Sequence, residues 1–378
     1  DLYYTVARSH NDSTLYVGLS GRPKSASSDR ESVVLRLLTT DGLDCGYGET
    51  FDNDFQVKRR NSIESATVLS WSPGAEIRKR CLTDSELILR VSPDADASRL
   101  IGSQFELTVT EEPAAVSTEL PPPAGEPEPW AGMPPVSRAT SVAGGPSFNQ
   151  ARDLRTGSYQ SEIQPGEARL FKVPVGWGQT LQATARIQRP SAAFQRELDP
   201  LEQTITLRLY GPTRGFASAD STTAPGQVGD VISFTQDTLL SAMTLPVRYN
   251  NRTGEDAEQQ AASLAGDYYV MVTLSEDKQR QAYRLPYELT IKVAGRPVDA
   301  PPYPAGQKVV GPGASQLAMT DLPSASDPDD ENSGAGTIGL LAVAGGVLLL
   351  FGLATLIITR ARSRRRPEYD DGVVSGSR

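Results

Sequence analysis

"VVLRLL" (Val33–Leu38) and "ITLRLY" (Ile205–Tyr210) alternate apolar and polar side chains around a shared Leu-Arg-Leu. A period of two marks a strand with one buried face. The likeness extends outward from both stretches. "LYYTVARSHNDSTLYVGLSGRP" (Leu2–Pro23) aligns with "RLFKVPVGWGQTLQATARIQRP" (Arg169–Pro190), setting Tyr4 and Val6 against Phe171 and Val173. Thr14-Leu15 then meets Thr180-Leu181, and Arg22-Pro23 meets Arg189-Pro190. After the Leu-Arg-Leu strands, "SELILRVS" (Ser85–Ser92) aligns with "GDYYVMVT" (Gly266–Thr273), and "FELTV" (Phe105–Val109) with "YELTI" (Tyr287–Ile291). The spacing between partners widens along the chain, as insertions in surface loops produce. Chance accounts for one such block, whereas four in order predict one unit built twice. Short, alternating, β-rich segments bury their apolar faces best as two packed sheets, a β-sandwich. No stretch has a convincing amphipathic helical period; "GEDAEQQAASLAG" (Gly254–Gly266) reads as an irregular loop or one short helix.

Composition divides the 378 residues further. Residues 1–110 form the first sandwich and 145–295 the second, whose insertion at about Ala217–Ala265 is rich in Ser, Thr, Gly and Asp. Residues 111–144 lack periodicity and read as a Pro-rich linker, and 296–336 as a Pro-rich, acidic stalk.

"TIGLLAVAGGVLLLFGLATLIIT" (Thr337–Thr359) carries no charge. At 1.5 Å per residue it reaches roughly 34 Å, enough to cross a bilayer core. Acidic "SASDPDDENSG" precedes it, and Arg360, Arg362, Arg364, Arg365 and Arg366 follow. Cationic flanks stay on the cytoplasmic side. The expected topology is single-pass in the cell membrane, with the N-terminal part extracellular and the basic tail 360–378 cytoplasmic. The chain begins with Asp, which reads as a processed chain or a fragment, and an outside N-terminus requires an upstream signal peptide. An oxidising outside location favours one disulfide between the two cysteines, Cys45 and Cys81, over two buried thiols.

The chemistry is sparse. A net charge of -9 argues against nucleic acid as a partner. The single histidine, His10, sits in "ARSHNDST", which reads as an exposed turn, so no Ser-His-Asp set is evident. There is no phosphate-binding Gly loop. Asp94 and Asp96 are weak candidates for calcium, and more simply a polar loop. Trp177, in the turn "VGWGQ", is a candidate ligand contact for a sugar; packing in a core or at a sheet edge is the plainer reading, as for Trp71. Trp130 lies in the linker. Asn11-Asp12-Ser13 and Asn251-Arg252-Thr253 match the glycosylation pattern, which is common by chance.

The block order "RLFKVPV", "GWGQTLQATARI", "ITLRLYGPTRG", "LAGDYYVMVTL", "YELTIKV" resembles the bacterial pre-peptidase C-terminal domain. The first unit fits loosely, lacking the Gly before the Tyr pair and carrying the cysteines. This resemblance implies an all-β fold of two tandem jelly-roll-like β-sandwiches, joined here to one C-terminal transmembrane helix. The run from "SFNQARDLRTGSYQSEIQPGEARLFKVPVGWGQTL" through "PVRYNNR" to "AGDYYVMVTLS" is similar to the C-terminal part of actinobacterial secreted and membrane proteins that carry a von Willebrand factor A domain. The metal-binding Asp-x-Ser-x-Ser of that domain is absent from this sequence. The expectation is therefore a non-enzymatic, membrane-anchored stalk or interaction module presenting an upstream A-type adhesion domain. It implies no cofactor; the partners are the lipid bilayer and an extracellular protein or cell-wall component. The alternatives are ancillary domains of a secreted hydrolase, or a surface carbohydrate-binding module.

Overall fold

A computed structural model of the chain describes residues 1–22, 32–49, 63–72, 74–93, 103–133, 139–192, 195, 203–233, 235–275 and 283–311. The first unit contains β1 (Leu2–Ala7), β2 (Ser13–Arg22), β3 (Val33–Leu38), β4 (Asp44–Glu49), β5 (Glu64–Leu69), α1 (Ala75–Thr83), β6 (Glu86–Pro93) and β7 (Gln104–Pro113). Its sheets run β1-β6-β3-β4 and β5-β2-β7, every pairing antiparallel. Their inner faces meet in one core of Val6, Leu15, Val17, Leu35, Val68 and Leu87, among others. Each such side chain, fully buried, contributes roughly 1.5–3 kcal/mol.

The second unit contains β8 (Thr140–Ser141), β9 (Arg152–Asp153), β10 (Gly157–Ile163), β11 (Ala168–Val175), β12 (Thr180–Ile187), β13 (Thr204–Tyr210), β14 (Gly229–Val231), β15 (Thr238–Met243), α2 (Ala257–Ala261), β16 (Gly266–Leu274) and β17 (Leu285–Ala294). Its sheets run β9-β11-β16-β13-β14 and β15-β12-β17-β10-β8. Here too the core draws on both sheets, with Phe171, Leu207 and Val270 from one and Leu181, Leu240 and Leu289 from the other.

The strand orders answer the question posed by the two Leu-Arg-Leu stretches. β1-β6-β3-β4 corresponds to β11-β16-β13-β14, and β5-β2-β7 to β15-β12-β17. Register is preserved as well. Tyr4 pairs with Leu89 and Phe171 with Val270; Leu35 pairs with Val91 and Leu207 with Val272. Val17 pairs with Val109, and Ala183 with Ile291. Each pairing joins the positions that the sequence blocks align. A slip of one residue would exchange the two faces, so matching register means matching buried sets.

α1 was not legible in the sequence. Cys81 is its one buried residue, so it has no apolar stripe to betray its period. Tertiary bonds hold it instead. Cys45 and Cys81 form a disulfide, and Arg80 Nη1 lies 2.7 Å from Asp41 Oδ2 in the β3–β4 turn. Arg8 donates to the Cys81 and Asp84 carbonyls at the helix end. α2 is the short helix that "GEDAEQQAASLAG" left open.

β2 is buried along both faces from Ser13 to Ser20. Leu15, Val17 and Leu19 enter the first core, while Thr14, Tyr16, Gly18 and Ser20 face the second sandwich. The approach is close: a Cβ on Gly18 would stand 2.3 Å from the Thr213 carbonyl oxygen. Residues Asp1–Gln316 accordingly form one compact unit.

The Pro-rich segment after β7 is laid against the second sandwich. Its backbone N–H groups at Ala115, Ala124 and Trp130 donate to Tyr249, Asn251 and Thr223 side chains. Carbonyls of Pro121 and Pro122 accept from Asn250 and Arg248. Prolines lack the donor but keep the acceptor, which suits a strap held by side chains. Residues 296–311 return the other way. Val298 N–H donates to the Trp177 carbonyl, and Val310 exchanges two backbone hydrogen bonds with Glu111. Among the described residues no helix is long and apolar enough to cross a membrane. The span 337–359, the basic tail with Arg360, Arg362, Arg364, Arg365 and Arg366, and the pair Asp94 and Asp96 lie outside the described residues.

Candidate functional site

The junction between the sandwiches concentrates the buried charge of the described residues. Thr14 and Glu112 are cross-strand neighbours on β2 and β7, aimed out of the first core. Arg252, in the 3₁₀ turn Tyr249–Thr253, enters from the second sandwich. Its side chain is 1% exposed and pairs with the Glu112 carboxylate, which is 0% exposed. Arg252 Nη1 donates to Thr14 Oγ1 at 2.9 Å and Nε to the Tyr249 carbonyl at 2.8 Å. The Tyr249 ring lies under the guanidinium, 3.6 Å from its centroid. Tyr16 donates to Glu112 at 3.0 Å, and Tyr303 at 2.6 Å. Four chain segments therefore converge on one ion pair: β2, β7, the 249–253 turn and the returning segment at Tyr303.

Electrostatics follow from that packing. Burial alone would lower the Arg252 pKa, but Glu112 together with Tyr16, Tyr249 and Tyr303 outweighs it, and the guanidinium stays charged. Burial raises the Tyr16 and Tyr303 phenols, so both remain donors. A second arginine repeats the design. Arg214 sits at φ 68°, in the left-handed region, and reaches Ser20 at 2.5 Å, Glu106 at 3.0 Å and Asn149 at 2.9 Å. Its guanidinium lies 5.3 Å from the Phe148 ring centroid. Burial would raise the Glu106 pKa; the Arg214 and Asn149 hydrogen bonds overcome it and hold that carboxyl below its usual range.

Other sequence candidates fall elsewhere. Trp177 is half-buried and packs against the second core. Trp71 carries Arg78 over its ring at 4.6 Å. His10 is not fully exposed as expected: its backbone N–H donates to Glu111 at 2.7 Å, and its Nε2 is buried with no partner among the described residues. That carboxylate also accepts from Ser9 N–H and Ser13 Oγ, closing the β1–β2 turn. Asn251, in the second glycosylation pattern, is buried and spends its amide on Ala124, Pro246 and Ala262. Among the described residues no three His, Cys, Asp or Glu side chains stand close enough to hold a metal ion.

A polar cleft of about 380 Å³ lies beside β10 and β17. Arg186, Glu288, Gln160 and Ser141 stand in cross-strand register along it. Arg186 is bonded to Asp237 at 2.5 Å, and Arg284 to Glu162 at 3.4 Å. Each of these two arginines thus has a carboxylate partner, Asp237 reaching Arg186 from outside the cleft lining.

No protein-family model matches the sequence, and no curated protein sequence matches it. Among solved structures, the chain is similar to that of infectious bursal disease virus Gx strain at TM-score 0.23 and 7% identity, over 77% of this chain and 57% of that one. The infectious bursal disease virus VP2 subviral particle gives TM-score 0.23 and 12% identity, over 83% and 76%. The ANXUR2 extracellular domain from Arabidopsis thaliana gives TM-score 0.21 and 11% identity, over 80% and 84%. This chain thus spans just over half the length of the first, and likeness at these scores carries no functional inference.

Proposed function

We propose that this chain is the presenting part of a membrane-anchored extracellular protein: a double sandwich that holds an upstream adhesion domain of the von Willebrand factor A type away from the bilayer. The jelly-roll-like, pre-peptidase-type ancestry of both units belongs to the same proposal. The observation that carries it is the Arg252–Glu112 junction. A spacer transmits position only if its modules do not swing, and a desolvated ion pair gripped by four segments opposes swinging. The uncharged stretch 337–359 with its arginine-rich flank supports the anchor and the topology. The role asks for binding and no catalysis.

Protease treatment of intact cells, followed by mass spectrometry, tests this reading. The expected result is release of peptides from residues 1–311 while peptides from 367–378 stay protected. Protection of both regions, or release of both, would overturn it.

A further inference from the structure

The cleft of about 380 Å³ beside β10 and β17 takes no part in the junction. Its volume lies at the small end of the range typical of small-molecule sites, roughly 300–1,000 Å³. Ser161 on β10 and Tyr287 on β17 are cross-strand partners, and both line it. Ser161 is 5% exposed and Tyr287 3%. Their hydroxyl oxygens are buried and have no partner among the described residues outside this pair. Arg169, entering from β11 of the other sheet, brings a third such atom, its Nε. Burial raises the Tyr287 pKa, so that hydroxyl stays protonated. Three strands therefore bring three polar atoms to one cavity, all able to donate and none bonded outside the cleft. Leaving buried donors unmatched costs stability, and a ligand site is where a protein retains such a cost.

Charge excludes one class of ligand. Arg169 pairs with Glu167 at 2.7 Å, Arg186 with Asp237 and Arg284 with Glu162, and Glu288 is a fourth carboxylate. Among the described residues no positive charge is left over for a phosphate or a carboxylate. An extended peptide is disfavoured as well, because β8 already pairs with β10 along this edge and Val142 N–H donates to the Gln160 carbonyl. The cleft offers instead short polar groups of both kinds, side by side. Gln160 and Glu288 are cross-strand neighbours, roughly 5 Å apart at Cβ. Gln188 adds a second amide, and Val142 and Pro286 supply carbon surface. Adjacent donors and acceptors beside carbon surface match the vicinal hydroxyls and C–H groups of a sugar ring.

We propose that this cleft binds a neutral mono- or disaccharide unit of a glycan. Ser161, Tyr287 and Arg169 donate to its oxygens, while Gln160, Gln188 and Glu288 engage its vicinal hydroxyls. Trp177 lies outside the cleft lining and takes no part. The assignment does not depend on the membrane anchor or on an upstream domain.

Saturation-transfer NMR on the full-length chain, in a detergent without a sugar headgroup, tests this. The probes are maltose, lactose, cellobiose and N,N′-diacetylchitobiose, each alone, with glucuronate as the acidic control. Transfer to at least one neutral disaccharide, stronger than to glucuronate, is expected. Ser161→Ala and Tyr287→Phe should each weaken that binding about tenfold, whereas Trp177→Phe should leave it unchanged. Thermal unfolding supplies the second readout. Neither hydroxyl bonds outside the pair, so the double variant Ser161→Ala with Tyr287→Phe should keep its Tm or raise it. No transfer to any neutral disaccharide would overturn the proposal, as would transfer to glucuronate of equal or greater strength. So would equal binding by wild type and double variant with a lowered Tm, because the hydroxyls would then serve the fold and no ligand.

Discussion

Arg252 sits where water does not reach, and its position is tolerable because every face of the guanidinium is engaged. Removing one member of a buried pair strands the other, at a cost of about 3–5 kcal/mol. Glu112→Ala is expected to cost that much in urea denaturation. The double variant Glu112→Ala with Arg252→Met should recover part of the loss, because no charge is then left buried. A double variant that is worse by the sum of the two single effects would mean the residues act separately. Asp41 offers a second residue-scale check, on an exposed group. The hydrogen bond from Arg80, aided by Thr39 Oγ1, lowers its pKa from 3.8 to about 2. A carboxylate with a depressed folded-state pKa stabilises above its unfolded value, and the contribution fades as pH falls from about 4 towards 2. Carboxyl NMR should show Asp41 titrating near the bottom of that window, and Arg80→Ala should return it to the ordinary carboxylate range.

The elements differ in how openly the sequence announced them. The paired strands were legible because register and burial depend on alternation, and both copies kept it at Tyr4 and Phe171, at Leu35 and Leu207, and at Val17 and Ala183. The junction was not. Thr14, Tyr16, Gly18 and Ser20 drew no reading of their own, and Asn251-Arg252-Thr253 registered only as a glycosylation pattern. One signal was present: "STLYVGLSG", Ser13–Gly21, has no charged residue on either face, which is the composition of a strand covered on both sides. α1 stayed hidden because a covalent bond and an ion pair hold it, rather than an apolar stripe. That gives a prediction at the element scale. The disulfide closes a loop with a sequence separation of 36, and cross-links of that size contribute roughly 3–4 kcal/mol. Replacing both Cys45 and Cys81 with alanine should lower unfolding free energy by about that amount, and faster amide exchange should appear first in α1 and β4.

At the scale of the whole molecule, two copies of one sandwich have stopped behaving as separate beads. The Pro-rich segment from β7 is strapped to the second sandwich, residues 296–311 run back to the first, and Tyr303 reaches the same carboxylate that Arg252 does. Cooperativity should follow from that sharing, because neither sandwich can leave without exposing a charge the other had desolvated. The most direct measurement is scanning calorimetry of the compact unit Asp1–Gln316, comparing wild type with Glu112→Ala. A single transition in the wild type, with calorimetric and van't Hoff enthalpies in agreement, is the predicted result, and the variant should resolve into two transitions. Two well-separated transitions already present in the wild type would contradict the joined-sandwich account.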